Sequence, residues 1–483
     1  MSINRPPKNY EDLYSKITKL VFREHGALIP LPLQSLLVQK ISTPLQQDLM
    51  LGESGTIGSS TLPSIENLLR KNGFTIHGDI LKVSHRNFIK LFITNLVLLG
   101  FSFMYLIFMP KVNSTSRFNL VYGLTKEMIY RQSREIQCDE FFNKVDHTFR
   151  NPKSLVLIQL PRLDLRKKSR KDNFLIVKYI PLFLLRSQNI TKLQLIKHLL
   201  KRFQFWISIC RQLPSAVLLG PEIILDSNPL IKVKMIKSVS TTASQWGVQP
   251  YFFHKLDQIP RNFFWYSNNS IPLSNSKSET LDSELNYLRL IKASRHFVWT
   301  NSFGKLIKEI ADIDYTVLDF ILFYLPKKNS VKQLYDMTVF DVTPLINFSS
   351  ENYYSDENCF KFINDILKVC SSDSNLGKVR TVALKPKRKY TKLHSKPYIN
   401  FVRNLSRKNE LTLIDAYFDI FELVKSSKSV VVIPFSTPAL IAKRLGVKTC
   451  YYNPDSRYRF KKIVDGVRVL STLDELKQFY IEQ

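Results

Sequence analysis

The most constraining feature of the sequence is residues 430–456, VVVIPFSTPALIAKRLGVKTCYYNPDS. An apolar β-branched run, typical of a buried strand, is followed by Pro-Phe-Ser-Thr-Pro, a short amphipathic segment and a second apolar run. Ser436 or Thr437 can cap a helix that has Pro438 in its first turn and ends at Gly446. The stretch therefore predicts a strand, a helix and a second strand of one parallel sheet.

The turn in this unit is a candidate anion site. In open α/β sheets, ligands bind outside the carboxyl ends of the strands, where helix N-termini face anions. Ser436 and Thr437 follow such a strand end, so their hydroxyls are candidate phosphate ligands. The alternative is that both hydroxyls only cap the helix, because Ser and Thr are the usual cap residues.

Strand-like and helix-like patterns alternate from residue 118 to the C-terminus, which is typical of parallel sheets with crossover helices. One series includes SLVLIQL and RNFFWYSNNSIPL, and a second follows the polar break at residues 326–330 and includes MTVFDVTPL and RTVALKPKR. The predicted fold is α/β, with two tandem Rossmann-like domains at residues 118–330 and 331–483.

The segment before these domains is strongly apolar. Residues 91–109 contain no charged residue and are long enough to span a bilayer as a helix. Basic residues flank both ends, so charge asymmetry does not orient a span, and a buried core helix or an interfacial segment are the alternatives. We predict a mainly helical region at residues 1–87 and a membrane-associating segment at residues 88–112, with peripheral or monotopic association favoured over a single span.

The composition of the chain limits the classes of binding partner and of enzyme that fit it. The chain has 70 Lys plus Arg against 40 Asp plus Glu, a net charge of +30, which favours nucleic acid, a membrane surface or phosphorylated small molecules. Its five scattered cysteines lack CxxC spacing, which argues against a disulfide framework or a zinc site. The P-loop, GxGxxG, HExxH and GxSxG motifs do not occur, which argues against the enzyme classes that depend on them.

Basic side chains supply a second candidate anion site. LKPKR follows the strand-like RTVAL, so Lys385, Lys387 and Arg388 are placed to reach a diphosphate, although charge runs in loops are often simply solvated. Together with PFSTPAL and LGVKTCYYNPDS, this segment resembles the donor-binding half of bacterial surface-carbohydrate biosynthesis proteins with the GT-B glycosyltransferase fold. The resemblance extends from residue 118 to the C-terminus.

The resemblance implies roles for two groups of residues. Relatives often carry His after Lys-Pro, where this chain has Lys387, so a role for that His is in question here. The segment NFFWYSNNSIPL also resembles a recurring piece of the group and implies an acceptor-side cleft. The implied donor-phosphate ligands are Lys385, Lys387, Arg388, Ser436 and Thr437, and the implied acceptor-side residues are Trp265, Tyr266, Ser267 and Asn268.

An inverting transferase of this kind needs a general base near the acceptor hydroxyl. Glu222, at a predicted strand end, is the first candidate and His254 the next, with Asp164 and Asp257 weaker. No DxD motif occurs at a suitable strand end, so we expect no metal, because basic groups and helix dipoles can stabilise the leaving phosphate instead. We expect no cofactor, and a nucleotide sugar as the donor substrate.

The resemblance implies a glycosyltransferase that moves a sugar from a nucleotide sugar to a surface polysaccharide or a lipid-linked saccharide. Its basic charge and apolar segment would hold it to the anionic cytoplasmic face of the inner membrane. One alternative is a non-catalytic scaffold of a polysaccharide assembly complex. A basic nucleic-acid-binding protein is a further alternative, but the sequence contains no recognisable module for that function.

Overall fold

A computed structural model describes most of the residues after position 79. The predicted helical region before that position lies outside the described ranges. Those ranges are residues 80–108, 117–123, 154–159, 170–171, 174–177, 184, 190–212, 219–224, 235–243, 258–265, 293–311, 313–319, 333–344, 353–371, 381–387, 389–391 and 394–482.

The first half of the chain forms a mostly parallel sheet of eight strands in the order β3-β4-β2-β1-β5-β6-β7-β8. Only the short β3 runs antiparallel, to β4. The strands are β1 (Arg117–Tyr122), β2 (Ser154–Gln159), β3 (Arg170–Lys171), β4 (Phe174–Val177), β5 (Ile236–Ala243), β6 (Arg261–Trp265), β7 (Arg295–Val298) and β8 (Tyr315–Val317).

Four helices are described in this half: α1 (Ile80–Phe108), α2 (Lys192–Gln212), α3 (Gly220–Ile224) and α4 (Asn301–Ala311). Helix α1 contains the predicted apolar segment and packs on α2, where Phe92 stacks on Trp206 with ring centroids 5.1 Å apart. It also packs on α3 at Gly220, where a Cβ atom would lie 2.3 Å from Asn95 Nδ2. Among the residues that the structure describes, no helix reaches the length and apolarity required to cross a membrane.

The second half forms a sheet of seven strands in the order β11-β10-β9-β12-β13-β15-β14, antiparallel only at β14. The strands are β9 (Tyr335–Phe340), β10 (Val382–Lys385), β11 (Thr412–Leu413), β12 (Ser427–Val432), β13 (Lys448–Tyr452), β14 (Ile463–Val464) and β15 (Val467–Leu470). The helices are α5 (Asp356–Ser371), α6 (Lys396–Arg407), α7 (Ile420–Lys425), α8 (Pro438–Arg444) and α9 (Leu473–Ile481).

Both sheets have the strand order of a doubly wound α/β fold. In each sheet, successive strands first add to one side of the first strand, and the later strands then add to its other side. The strand order therefore reverses between β1 and β5 in the first sheet and between β9 and β12 in the second. Ligands of such sheets bind outside the carboxyl ends of the strands at this reversal. The predicted α/β class with two parallel sheets is confirmed, and the predicted boundary at residues 330 and 331 falls between the last strand of one sheet and the first of the other.

An apolar cluster joins the two sheets. It includes Phe297 and Trp299 from the first half and Val430 and Phe435 from the second. Arg444, at the end of α8, crosses between them: its Nη2 donates to the carbonyl oxygens of Trp299 and Leu318 at 2.6 and 2.7 Å. Its guanidinium carbon also lies 4.9 Å from the centre of a Trp299 ring. Helix α8, which follows the candidate turn, is thereby attached to the first sheet.

Two elements were not predicted. Residues 241–243 end strand β5, where they pair in parallel with β6. Helix α6 lies in a highly basic segment. It has ordinary start signals, since the Ser395 hydroxyl accepts from Tyr398 N and Pro397 lies in the first turn.

Candidate functional site

The carboxyl edge of the second sheet brings polar residues together at the strand reversal. Asp341 directly follows β9, Lys385 ends β10, and Ser436 and Thr437 lie in the turn after β12. Strand β9 is paired with β10 on one side and β12 on the other, so Asp341 lies on the strand between those of the two predicted phosphate segments. These residues form the candidate site.

Asp341 is a buried carboxylate that organises the loop after β10. Tyr398 Oη donates a hydrogen bond to its Oδ2, and the backbone N–H of Lys387 donates to its Oδ1 at 3.2 Å. Burial raises the pKa of Asp341 to about 6, while these two hydrogen bonds and the Lys387 charge act in the opposite direction. The carboxyl group therefore fixes the course of the chain through Lys387.

The two described lysines of the predicted phosphate segment differ in their surroundings. Lys385 is buried, and its Nζ donates to the carbonyl oxygen of Ala416 at 2.7 Å. Burial lowers the pKa of Lys385, against the opposing effect of nearby carboxylates. Lys387 is exposed, and its backbone is held by Asp341. Arg388 lies outside the described residues.

The turn after β12 buries two hydroxyl groups that do not cap helix α8. Ser436 is only 5% exposed, and its Oγ has no hydrogen-bond partner among the residues that the structure describes. Thr437 is the N-cap residue of α8, but its side chain makes no capping hydrogen bond. The capping alternative therefore does not account for either hydroxyl, and an unpaired buried Ser436 Oγ can donate to a ligand.

Neighbouring loops fix this turn in place. Tyr354 Oη donates to the Pro434 carbonyl oxygen at 2.7 Å, and Tyr451 Oη donates to the Ser436 carbonyl oxygen at 3.3 Å. After β13, Asn453 Oδ1 accepts from Tyr353 Oη at 2.9 Å. The hydroxyls at the edge are thus presented by a preorganised backbone, which lowers the entropic cost of binding.

Within the part of the chain that the structure describes, no cluster of His, Cys, Asp or Glu side chains could hold a metal ion. The polar groups of the site are instead hydroxyls, ammonium groups and one buried carboxyl. Such a set can bind an anion through charge-assisted hydrogen bonds.

The first-half candidates are not brought to this edge by the described residues. Glu222 lies inside helix α3, beside α1 and α2, and not at the end of a strand as predicted, because the chain is already helical from Gly220. Trp265 is fully buried, and its Nε1 donates to His296 Nδ1 at 2.9 Å. Trp265 therefore belongs to the core between β6, β7 and α4, not to an acceptor cleft, because its position in the strand directs it to the helix-covered face. The other first-half candidates, His254, Tyr266, Ser267, Asn268, Asp164 and Asp257, lie outside the described residues.

Sequence reasoning missed Asp341 and Tyr398. Asp341 carries the same signal that singled out Lys385, since a polar residue directly follows an apolar strand. Tyr398 carries no such signal, because it lies on α6 and reaches Asp341 only through the packing of that helix.

The fold and this edge define an α/β protein with two mostly parallel sheets and a cluster of polar residues at a strand reversal. A family model described as "Polysaccharide biosynthesis PFTS motif protein" matches residues 202–480, so the chain belongs to that family. Residues 434–437 read Pro-Phe-Ser-Thr, the residue types of the named motif with the last two exchanged. The predicted resemblance to surface-carbohydrate biosynthesis proteins is confirmed.

Solved structures with distant similarity include carbohydrate enzymes. An α,α-trehalose-phosphate synthase (UDP-forming) from Burkholderia vietnamiensis is 7% identical, with a TM-score of 0.38, covering 76% of this chain and 91% of that one. A variant of the wall teichoic acid polymerase TagF is 10% identical, with a TM-score of 0.38 and coverages of 82% and 90%. The UDP-GlcNAc 2-epimerase of Methanocaldococcus jannaschii is 10% identical, with a TM-score of 0.36 and coverages of 76% and 92%.

These TM-scores are low, and we draw no inference about function from them. A comparison with curated proteins finds no significant match to the chain.

Proposed function

We propose that the chain is a glycosyltransferase that moves a sugar from a nucleotide-sugar donor to a surface polysaccharide or lipid-linked saccharide. The observation that carries the proposal is the buried, unpartnered Ser436 hydroxyl at the strand reversal of the second sheet. Membership of a polysaccharide biosynthesis family supports the carbohydrate class.

In this proposal, the diphosphate of the donor lies outside the ends of β9 and β12. Ser436 Oγ donates to a phosphate oxygen, and the exposed Lys387 ammonium neutralises charge on the leaving nucleotide. Asp341 is a positioning residue that holds the Lys387 backbone. Lys385 holds the neighbouring loop through Ala416, and Thr437 and Arg388 remain predicted phosphate ligands.

Transfer to an acceptor hydroxyl also needs a group that accepts its proton. Glu222 and His254 remain the predicted candidates for this general base. Metal-independent transfer is also part of the proposal, since basic and hydroxyl groups can stabilise a departing nucleotide diphosphate without a cation.

The test is stabilisation of the purified chain by a panel of UDP, GDP, CDP and CMP and of their sugar conjugates. A ligand that binds the native state at 100 times its Kd adds about 2.7 kcal/mol to the free energy of unfolding. We expect one nucleotide class to stabilise the wild-type chain. We expect Ser436→Ala and Lys387→Ala each to weaken its binding on the order of tenfold, since each removes a charge-assisted contact.

Lys389→Ala is the matched control, because Lys389 is an exposed lysine two residues beyond Lys387. It should bind the nucleotide as the wild-type chain does. An equal loss of nucleotide binding in Lys389→Ala would indicate that the basic surface attracts the nucleotide without a specific contact. No response to any nucleotide would contradict the proposal and favour the non-catalytic scaffold.

A further inference from the structure

Helix α1 is apolar on most of its circumference, and the described residues bury only one side of it. Asn95, Leu99 and Ser102 are buried on the packed side, at a helical spacing. The opposite side, here called the α1 face, exposes six large apolar side chains, each 40–62% exposed: Ile89, Ile93, Leu96, Val97, Phe101 and Met104. A helix that is apolar all round is normally covered by protein or by lipid on every side.

The α1 face is held in a fixed orientation by its packed side. Phe92 stacks on Trp206 of α2, and Asn95 fits against Gly220 of α3, where no side chain larger than a hydrogen could be placed without a shift. Ser102 Oγ donates to the Leu98 carbonyl oxygen at 2.8 Å, so this polar side chain is satisfied within the helix. The exposed residues therefore cannot turn inward without breaking these contacts.

Helix α2, which packs against α1, also exposes apolar side chains and carries positive charge. Leu193, Leu200 and Phe205 of α2 are 40–61% exposed, and Lys197 and Lys201 are exposed on the same helix. The sequence of α1 contains three Lys or Arg and that of α2 contains five, and neither contains Asp or Glu. Two packed helices that combine large exposed apolar side chains with positive charge and have no acidic residue of their own complement an anionic bilayer.

We propose that the α1 face, together with the exposed apolar side chains of α2, binds the surface of an anionic lipid bilayer. Helix α1 then lies in the plane of the interface, with its apolar side chains among the acyl chains and the lysines at the headgroups. The inference concerns where the protein lies and does not depend on the proposed reaction.

The test is co-sedimentation of the full-length chain with vesicles of phosphatidylcholine alone or with phosphatidylglycerol added. The test variant is Val97→Glu with Phe101→Glu, both on the α1 face. The matched control is Ile463→Glu with Ile481→Glu, because these residues are 61% and 73% exposed on the other half of the chain. We expect the wild-type chain to prefer the anionic vesicles.

We expect the test variant to bind anionic vesicles on the order of 100-fold more weakly, since burial of two such side chains is lost. The control should bind as the wild-type chain does. Unchanged binding of the test variant would overturn the proposal, as would equal binding of the wild-type chain to the two kinds of vesicle. A variant that alters the oligomeric state but leaves vesicle binding unchanged would show that the face contacts protein instead.

A second variant covers the case in which the glutamates impair folding. Phe101→Trp keeps an aromatic side chain on the α1 face, and its fluorescence should be quenched by vesicles that contain brominated lipid. Ile481→Trp is the control. Brominated lipid should quench no more of its fluorescence than it quenches in the wild-type chain, which has four tryptophans. Absence of quenching in Phe101→Trp would overturn the proposal.

Discussion

The two sheets share a strand order, but they use buried polar side chains differently. Both sheets pair some of these side chains inside their strands: Ser238 Oγ donates to Asn119 Oδ1 at 2.8 Å in the first, and Thr338 Oγ1 lies 2.6 Å from Ser427 Oγ in the second. The second sheet also places buried polar residues after its strands, at the edge where Asp341 and Ser436 lie. Pairs inside strands stabilise a fold, whereas polar groups at the carboxyl edge of a parallel sheet are placed where a ligand can reach them.

Among the described residues, both halves leave buried atoms without a hydrogen-bond partner. Some of these atoms belong to residues within strands, including Asn119 Nδ2 and His296 Nε2 in the first half and Thr449 Oγ1 in the second. Ser436 and Thr343 follow strand ends in the second half and carry unpaired hydroxyls there. A buried unpaired polar group costs about 1–3 kcal/mol, and a site tolerates that cost where a ligand supplies the partner.

The largest expected effect concerns the contact that joins the halves. Arg444→Ala removes two hydrogen bonds from a charged donor to the Trp299 and Leu318 carbonyl oxygens and should lower the free energy of unfolding by about 4 kcal/mol. We expect chemical denaturation to separate into two transitions, one for each sheet.

Arg444→Lys is the control for charge. It keeps the positive charge, but its ammonium group lacks the planar set of N–H donors with which the guanidinium reaches both carbonyl oxygens. Arg444→Lys should lower the free energy of unfolding by about half as much as Arg444→Ala does. A single transition with wild-type stability in Arg444→Ala would show that the apolar cluster alone holds the sheets together.

The next effect concerns Asp341 and depends on pH. Burial raises the pKa of this carboxyl from its ordinary value of 3.8 to about 6 in the folded chain, so the folded state binds the proton more tightly than the unfolded state. Its contribution to stability is present below pH 4 and is lost as the pH rises through 6, by on the order of 3 kcal/mol. Asp341→Asn removes the group, so the stability of the wild-type chain relative to the variant should fall by that amount from pH 4 to pH 7.

Urea unfolding of both proteins across this range measures the difference. Tyr398→Phe removes a hydrogen bond that favours the charged carboxylate, so it should raise the pKa of Asp341 further. The loss of stability should then continue to a higher pH than in the wild-type chain. Parallel pH profiles of the wild-type chain and Asp341→Asn would contradict a raised pKa.

The smallest effect compares two serines. Ser238→Ala leaves Asn119 Oδ1 without its donor and should cost about 1 kcal/mol of stability with no change in nucleotide binding. Ser436→Ala removes an unpaired hydroxyl, so its stability should stay within about 0.5 kcal/mol of the wild-type chain while nucleotide binding weakens.

Thermal unfolding with and without nucleotide measures both properties in both variants. A stability loss in Ser436→Ala as large as that in Ser238→Ala would mean that Ser436 has a structural role, and the contrast between the two sheets would fail.

The fold was more predictable than the site. Strands β9, β10, β12 and β13 were visible as apolar runs, because a parallel strand buried on both faces has a continuous apolar sequence. Ser436 and Lys385 were found by their position after such runs. That Lys385 donates to Ala416 was not predictable, because the two residues meet only when the loop after β11 folds over β10.

By itself, the sequence determined the α/β class, the alternation of strands and helices along the chain and the position of the turn at residues 434–437, because each depends on local residue patterns. Only the tertiary structure decided that neither hydroxyl of that turn caps α8, that Asp341 is buried and accepts a hydrogen bond from Tyr398, and that one side of α1 has exposed apolar side chains. These properties depend on contacts between segments distant in the chain. No local pattern encodes them, since burial and hydrogen bonding are set by whichever elements the fold brings together.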